Sequence, residues 1–139
     1  NALGAHSAQG VSVSPLAVGV EGSSIYLKEG EKLTLYQLVH ALLLESANDA
    51  ATAIAIYVGG SYDNFIEMMN VKARQLGLDN THFTNPHGLD DKEHYTTAYD
   101  LARLALYAME NPKFEEIASN KKSKSHRAGA CSCPKRRTN

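Results

Sequence analysis

Residues 34–58 read TLYQLVHALLLE-SAN-DAATAIAIYV: an amphipathic run, three small residues, then an almost wholly apolar run. Thr34 and Gln37 stand at capping-box spacing, where each side chain can satisfy a free backbone N–H at a helix start. Leu35, Leu38, Val39, Leu42 and Leu43 recur at helical intervals, which predicts a helix to about Glu45 with one buried face. Ser46-Ala47-Asn48 stops it, because small residues with side-chain hydrogen bonding favour a turn and a new cap. The run Asp49 to Val58 predicts a second helix which, lacking a polar face, is buried on all sides.

Working outward, Gly59-Gly60 ends that helix and Ser61 caps a third. Phe65, Ile66, Met69, Ala73 and Leu76 lie on one face of this third helix, and Gly77 is its stop. Residues 78–95 read as loop, punctuated by Asn80, Asn85-Pro86, Gly88 and Asp90-Asp91. Thr97 and Asp100 open a fourth helix with Leu101, Leu104, Ala105 and Ala108 on its inner face, and Asn111-Pro112 opens a short one ending near Ser119. Upstream, Val11 to Val20 alternates as a short extended segment broken at Pro15. Ile25-Tyr26-Leu27 is an apolar patch before the turn-like Lys28 to Glu31. There is no internal repeat.

Composition narrows the classes. Of the 139 residues, 43% are apolar, enough for a small core. No apolar run reaches the roughly 18 residues of a membrane-spanning helix. Asn1 to Gly10 lacks the basic-then-apolar order of a signal peptide. The net charge of −1 hides an asymmetry: residues 1–120 carry −8 (7 basic against 15 acidic side chains), and residues 121–139 carry +7. That basic block reads as a solvated, disordered tail. It lacks interleaved aromatic residues, so nucleic acid is not the expected partner. Cys131 and Cys133 are too close together to staple a fold. Even with His126 they fall short of a structural zinc site.

By itself, S-x-N is a short pattern that helix capping can explain. Its surroundings are more specific. Glu21-Gly22-Ser23-Ser24-Ile25-Tyr26-Leu27, Gly30-Glu31-Lys32-Leu33-Thr34, Glu45-Ser46-Ala47-Asn48-Asp49-Ala50-Ala51, Leu76-Gly77-Leu78, Asn80-Thr81-His82-Phe83, Asn85-Pro86-His87-Gly88-Leu89 and His94 to Ala102 follow one another in a familiar order. Together they resemble the serine D-alanyl-D-alanine carboxypeptidases, the low-molecular-mass penicillin-binding proteins, over residues 11–119.

The resemblance implies a mostly α chain: the helical region of the α/β β-lactamase/DD-peptidase fold. Residues 1–10 are expected to be a non-family segment and 120–139 a basic tail. It also implies acyl transfer at a serine, without a cofactor or metal, on the D-Ala-D-Ala terminus of peptidoglycan pentapeptide. The longer protein would be acylated by β-lactams and act outside the cytoplasmic membrane, with membrane association open. By matching position, Ser46 takes the proton-transfer role and Asn48 binds the substrate backbone. A hydroxyl both donates and accepts, and a carboxamide offers an acceptor and two donors without charge.

The chain departs from the family at two of three signatures. The S-x-x-K nucleophile and lysine, and the K-T-G strand, are absent. Ser119…Lys122 and Ser132…Lys135 match S-x-x-K in letters only, with no apolar helix to bury the lysine. A chain so composed is expected to be inactive alone, and its first and fourth helices are expected to lack cover. Truncation or a frameshift would explain both ends. Competing readings are a class A β-lactamase-like fragment, although its S-x-N is usually S-D-N, and a D-Ala-D-Ala endopeptidase. Two others are a helical interaction module with a basic tail, and a metal site at His82, His87, His94, Asp90 and Asp91, whose spacings do not share a helix face.

Overall fold

The computed structural model describes residues 10–119. The expectations for 1–9 and 120–139, including the basic tail, Cys131, Cys133, His126 and both lysines of the S-x-x-K look-alikes, lie outside the described residues.

Strand β1 (Gly10–Ser12) pairs antiparallel with β2 (Lys32–Thr34), Val11 opposite Leu33. Pairing continues loosely through Val13, which donates to the Glu31 carbonyl and accepts from Gly30, both at 2.9 Å. The extended stretch predicted for 11–20 therefore ends early. Ser14 caps a single 3-10 turn over Pro15–Ala17, proline's fixed φ suiting a helical first position. Strand β2 was not foreseen, since three residues become a strand only when a distant partner supplies the ladder.

Helix α1 (Leu35–Glu45) starts at the capping box: Thr34 Oγ1 accepts from Gln37 N–H at 3.2 Å, and Gln37 Oε1 accepts from Thr34 N–H at 2.8 Å. Leu35, Leu38 and Ala41 are buried. Helix α2 (Asn48–Gly59) runs through the middle of the molecule, with every residue from Asn48 to Ala55 buried. Its core face is largely alanine. Ala47, Ala50 and Ala53 pack with Leu35, Leu38, Val11 and Val13 in one cluster, because small side chains let neighbouring backbones approach closely.

Helix α3 (Tyr62–Gln75) packs on the other side of α2, capped by the Ser61 hydroxyl. The α2–α3 corner requires glycine at 59, where a Cβ would lie 2.8 Å from the Phe65 backbone nitrogen. The loop after α3 has one isolated bridge, His82 to Tyr95, and a backbone turn from His94 N–H to the Asp91 carbonyl, and is held mainly by side chains. The Asn70 carboxamide pairs with both the N–H and the carbonyl of Phe83, each at 2.8 Å. Asp100 accepts from Asn80 N–H at 2.9 Å and the Thr81 hydroxyl at 2.8 Å.

Helix α4 (Ala98–Met109) begins at Thr97 as expected, but its predicted inner face is largely uncovered. Leu101 is 54% exposed and Ala105 is exposed, while Leu104 and Ala108 are half-buried. Leu106, Tyr107 and Met109 are exposed as well. The first helix differs. Helix α5 (Pro112–Ala118) folds back from α4 onto α1 and buries Ile117 completely. Among the described residues, of the two helices expected to lack cover, only the fourth does.

Burial separates the two leucine positions by experiment. Leu38→Ala should cost about 2–5 kcal/mol in urea denaturation through cavity formation. Leu106→Ala, at a residue 70% exposed, should stay within about 0.5 kcal/mol.

Candidate active-site turn

Ser46 and Ala47 form the whole connection between α1 and α2, and Asn48 is the first residue of α2. Ser46 adopts the left-handed conformation at φ 54°, ψ 38° that helix ends usually assign to glycine. The turn is closed by the Ser46 and Ala47 N–H groups, both of which donate back to the Ala41 carbonyl, the latter at 3.3 Å. A non-glycine residue held there costs roughly 1–2 kcal/mol, so the surroundings must over-determine the bend. Ser46 is exposed, and among the described residues its hydroxyl has no hydrogen-bond partner.

Capping does not account for this turn. Ala47 is the N-cap residue of α2, without any side-chain cap bond. The Asn48 carboxamide turns away from the helix: Nδ2 donates to the Glu21 carbonyl at 2.7 Å, and its backbone N–H donates to the Ser23 carbonyl at 2.8 Å. Asn48 thus lies against the strap of residues 21–27, only 7% exposed. Gly22 makes room for it. Its φ is +92°, and a Cβ there would stand 2.6 Å from Asn48 Nδ2.

The residue that organises the strap is Asp49, fully buried. Its Oδ2 accepts from the Ser24 hydroxyl at 2.7 Å and Leu27 N–H at 3.0 Å. Its Oδ1 accepts from Ile25 N–H at 3.2 Å and Ala50 N–H at 2.9 Å. In sequence Asp49 reads as an ordinary helix start. The missed signal was the polar-then-apolar Ser23-Ser24-Ile25-Tyr26-Leu27, too irregular for a strand and too apolar for free loop. Tyr26 within it has φ +58°.

The three loop histidines serve the loop. His82 Nδ1 lies 2.6 Å from the Glu93 carbonyl, and His94 Nδ1 accepts from Thr84 N–H at 3.1 Å. Asn85 holds the next bend, accepting from Gly88 N–H at 2.6 Å and donating to the Leu89 carbonyl at 2.9 Å. Among the described residues no group of three His, Cys, Asp or Glu side chains converges as a metal would require. His87 lines an open hollow of about 440 Å³ with Leu16, Val20, Thr52, Tyr62 and Asp63. Neither Ser46 nor Asn48 lines it. Burial, and then the neighbouring His94, hold the His87 imidazole below its ordinary pKa.

Helices joined by an exposed left-handed serine, with a buried asparagine fastened to an upstream strap, form the helical region of the penicillin-binding DD-peptidase fold. The crystal structure of penicillin binding protein 5 from Haemophilus influenzae superposes with a TM-score of 0.79 at 33% identity, over 84% of this chain and 35% of that one. The sequence profile of the peptidase S11 family, D-alanyl-D-alanine carboxypeptidases, matches residues 3–139. This chain belongs to that family. It is 41% identical over 107 residues to the D-alanyl-D-alanine carboxypeptidase DacF of Bacillus subtilis, covering 77% of this chain and 27% of that protein. DacD of Escherichia coli is 39% identical over 109 residues, 78% of this chain and 28% of that protein. The chain thus spans about a quarter of these curated relatives.

Two outcomes follow from this geometry. Gly22→Ala should lower stability by about 1 kcal/mol or more, through its positive φ and the collision with Asn48. Its largest chemical-shift changes should centre on Asn48 rather than on α4. For His87, a folded pKa below the unfolded value of about 6.5 means the unfolded chain takes the proton first. Stability contributed by neutral His87 is therefore complete above pH ~6.5 and is lost as pH falls from there through the lowered folded value. An NMR titration should give His87 a midpoint below 6.5, and His87→Gln should flatten that part of the pH–stability curve.

Proposed function

We propose that this chain supplies the Ser-x-Asn turn of a serine D-alanyl-D-alanine carboxypeptidase acting on peptidoglycan pentapeptide. The observation that carries this reading is the exposed Ser46 hydroxyl, unpartnered among the described residues, on a left-handed bend two residues from an anchored Asn48. A hydroxyl so held can give its proton to a leaving nitrogen while taking another from a lysine ammonium, without side-chain motion in its support. In the proposed reaction, Ser46 relays the proton that the departing D-alanine nitrogen needs, and Asn48 hydrogen-bonds the peptide backbone of the substrate. Positioned proton transfer of this kind contributes about 10²–10⁴-fold in rate.

The covalent step belongs to an S-x-x-K serine, and substrate carboxylate recognition to a K-T-G strand. No Lys-Thr-Gly occurs in these 139 residues, and the two S-x-x-K matches, Ser119…Lys122 and Ser132…Lys135, have no apolar helix to bury the lysine. The chain on its own is therefore proposed to be inactive, since a relay has nothing to assist without a nucleophile. The working enzyme is proposed to act on the outer side of the cytoplasmic membrane, to need no cofactor, and to be acylated by β-lactams.

Fluorescent penicillin tests this directly. The 139-residue chain should take no covalent label, whereas a chain extended with the family's S-x-x-K and K-T-G elements should label. In the extended chain, Ser46→Ala should slow peptide turnover by about 10²-fold or more. Labelling of the short chain, or full turnover by the alanine variant, would contradict the assignment.

A further inference from the structure

We propose that Asp49 is a positioning residue for the turn. Its carboxylate grips residues 24–27 and so fixes the backbone against which the Asn48 carboxamide is aimed. This rests on the role proposed above for Asn48, but the coupling itself is a matter of geometry. Three of the four donors to Asp49 come from residues 22–25 positions away in sequence, so the carboxylate is more than a local helix cap. The same strap presents the Glu21 and Ser23 carbonyls to Asn48. Residues 48 and 49, adjacent on the first turn of α2, therefore hold one strap by opposite polarity. Asn48 donates to it, and Asp49 accepts from it.

Backbone conformation points to the same pair. Among the described residues, two non-glycine residues have positive φ: Tyr26 at 58° and Ser46 at 54°. Tyr26 sits between two of the amides that Asp49 holds, and Ser46 ends the helix just before Ala47-Asn48-Asp49. Residues kept in such conformations persist where surrounding contacts over-determine them, and here the fully buried Asp49 supplies those contacts on the Tyr26 side. Loss of the carboxylate frees the Ile25 and Leu27 amides, releases the strap, and leaves Asn48 without a fixed acceptor.

Asp49→Asn tests this, since it keeps the volume but places an N–H₂ where Oδ1 or Oδ2 now accepts. Amide hydrogen exchange on the 139-residue chain should quicken by about tenfold or more at Ile25, Leu27 and Asn48, while Asn80 and Phe83, held by Asp100 and Asn70, keep their rates. Ser24→Ala, which removes one donor to Asp49 and the acceptor of the Tyr26 N–H, should quicken the same three amides to a smaller degree, and Tyr26 besides, and it decides the matter if Asp49→Asn fails to fold. An unchanged Asn48 amide, or uniform acceleration across the chain in Ser24→Ala, would overturn the proposal. In the extended chain, Asp49→Asn should lower kcat/KM on a D-Ala-D-Ala peptide about 10–100-fold. It should cost little more when Asn48 is already alanine, an interaction that lost stability alone would not produce. Full additivity would refute positioning through Asn48. If the extended wild-type chain turns over no peptide, the functional reading fails, and the exchange rates alone judge the coupling.

Discussion

A buried carboxylate that accepts four hydrogen bonds is the constraint on which the candidate site depends. Asp49 has no exposure, and each of its oxygens receives two donors, three of the four coming from the strap. A buried polar group left unpaired costs about 1–3 kcal/mol, so carboxylate and strap each require the other. Their mutual satisfaction places the Glu21 carbonyl over Asn48 and leaves room there only for glycine at 22.

The same device recurs around α3 and α4. Asn70 forms a two-way pair with the Phe83 backbone, Asn85 closes the bend through Gly88 and Leu89, and Asp100 takes the Asn80 amide and the Thr81 hydroxyl. The two three-residue strands among the described residues cannot satisfy the long irregular segments by ladder pairing, so the short polar side chains of Asn70, Asn85 and Asp100 do so instead. These bonds hold residues 78–97, where the backbone forms a single bridge.

Most of the helical framework could be read from local chemistry. The Thr34/Gln37 box, the Ser61 and Thr97 caps and the left-handed glycines at 60 and 77 lie where propensity and capping place them, because these signals act within one helical turn. Strand β2, the fate of Ile25-Tyr26-Leu27 and the role of Asp49 were not legible. Each is decided by a partner more than twenty residues away. The fourth helix shows the opposite failure: its pattern marks Leu101 and Ala105 for burial, yet periodicity says which face is apolar, not whether anything covers it.

Ser46 and Asn48 mark the division most clearly. Sequence alone determined that a small, polar break separates an amphipathic helix from an apolar one, and the linked motifs around it identified the family, since order and spacing of residue types survive without coordinates. Tertiary structure decided that Ser46 turns left-handed and outward, and that Asn48 turns from its own helix onto the Glu21 carbonyl. The physical reason is reach. A cap or a helical stripe is settled by neighbours within about four residues, whereas the direction of a buried carboxamide is set by whichever distant backbone the fold brings against it.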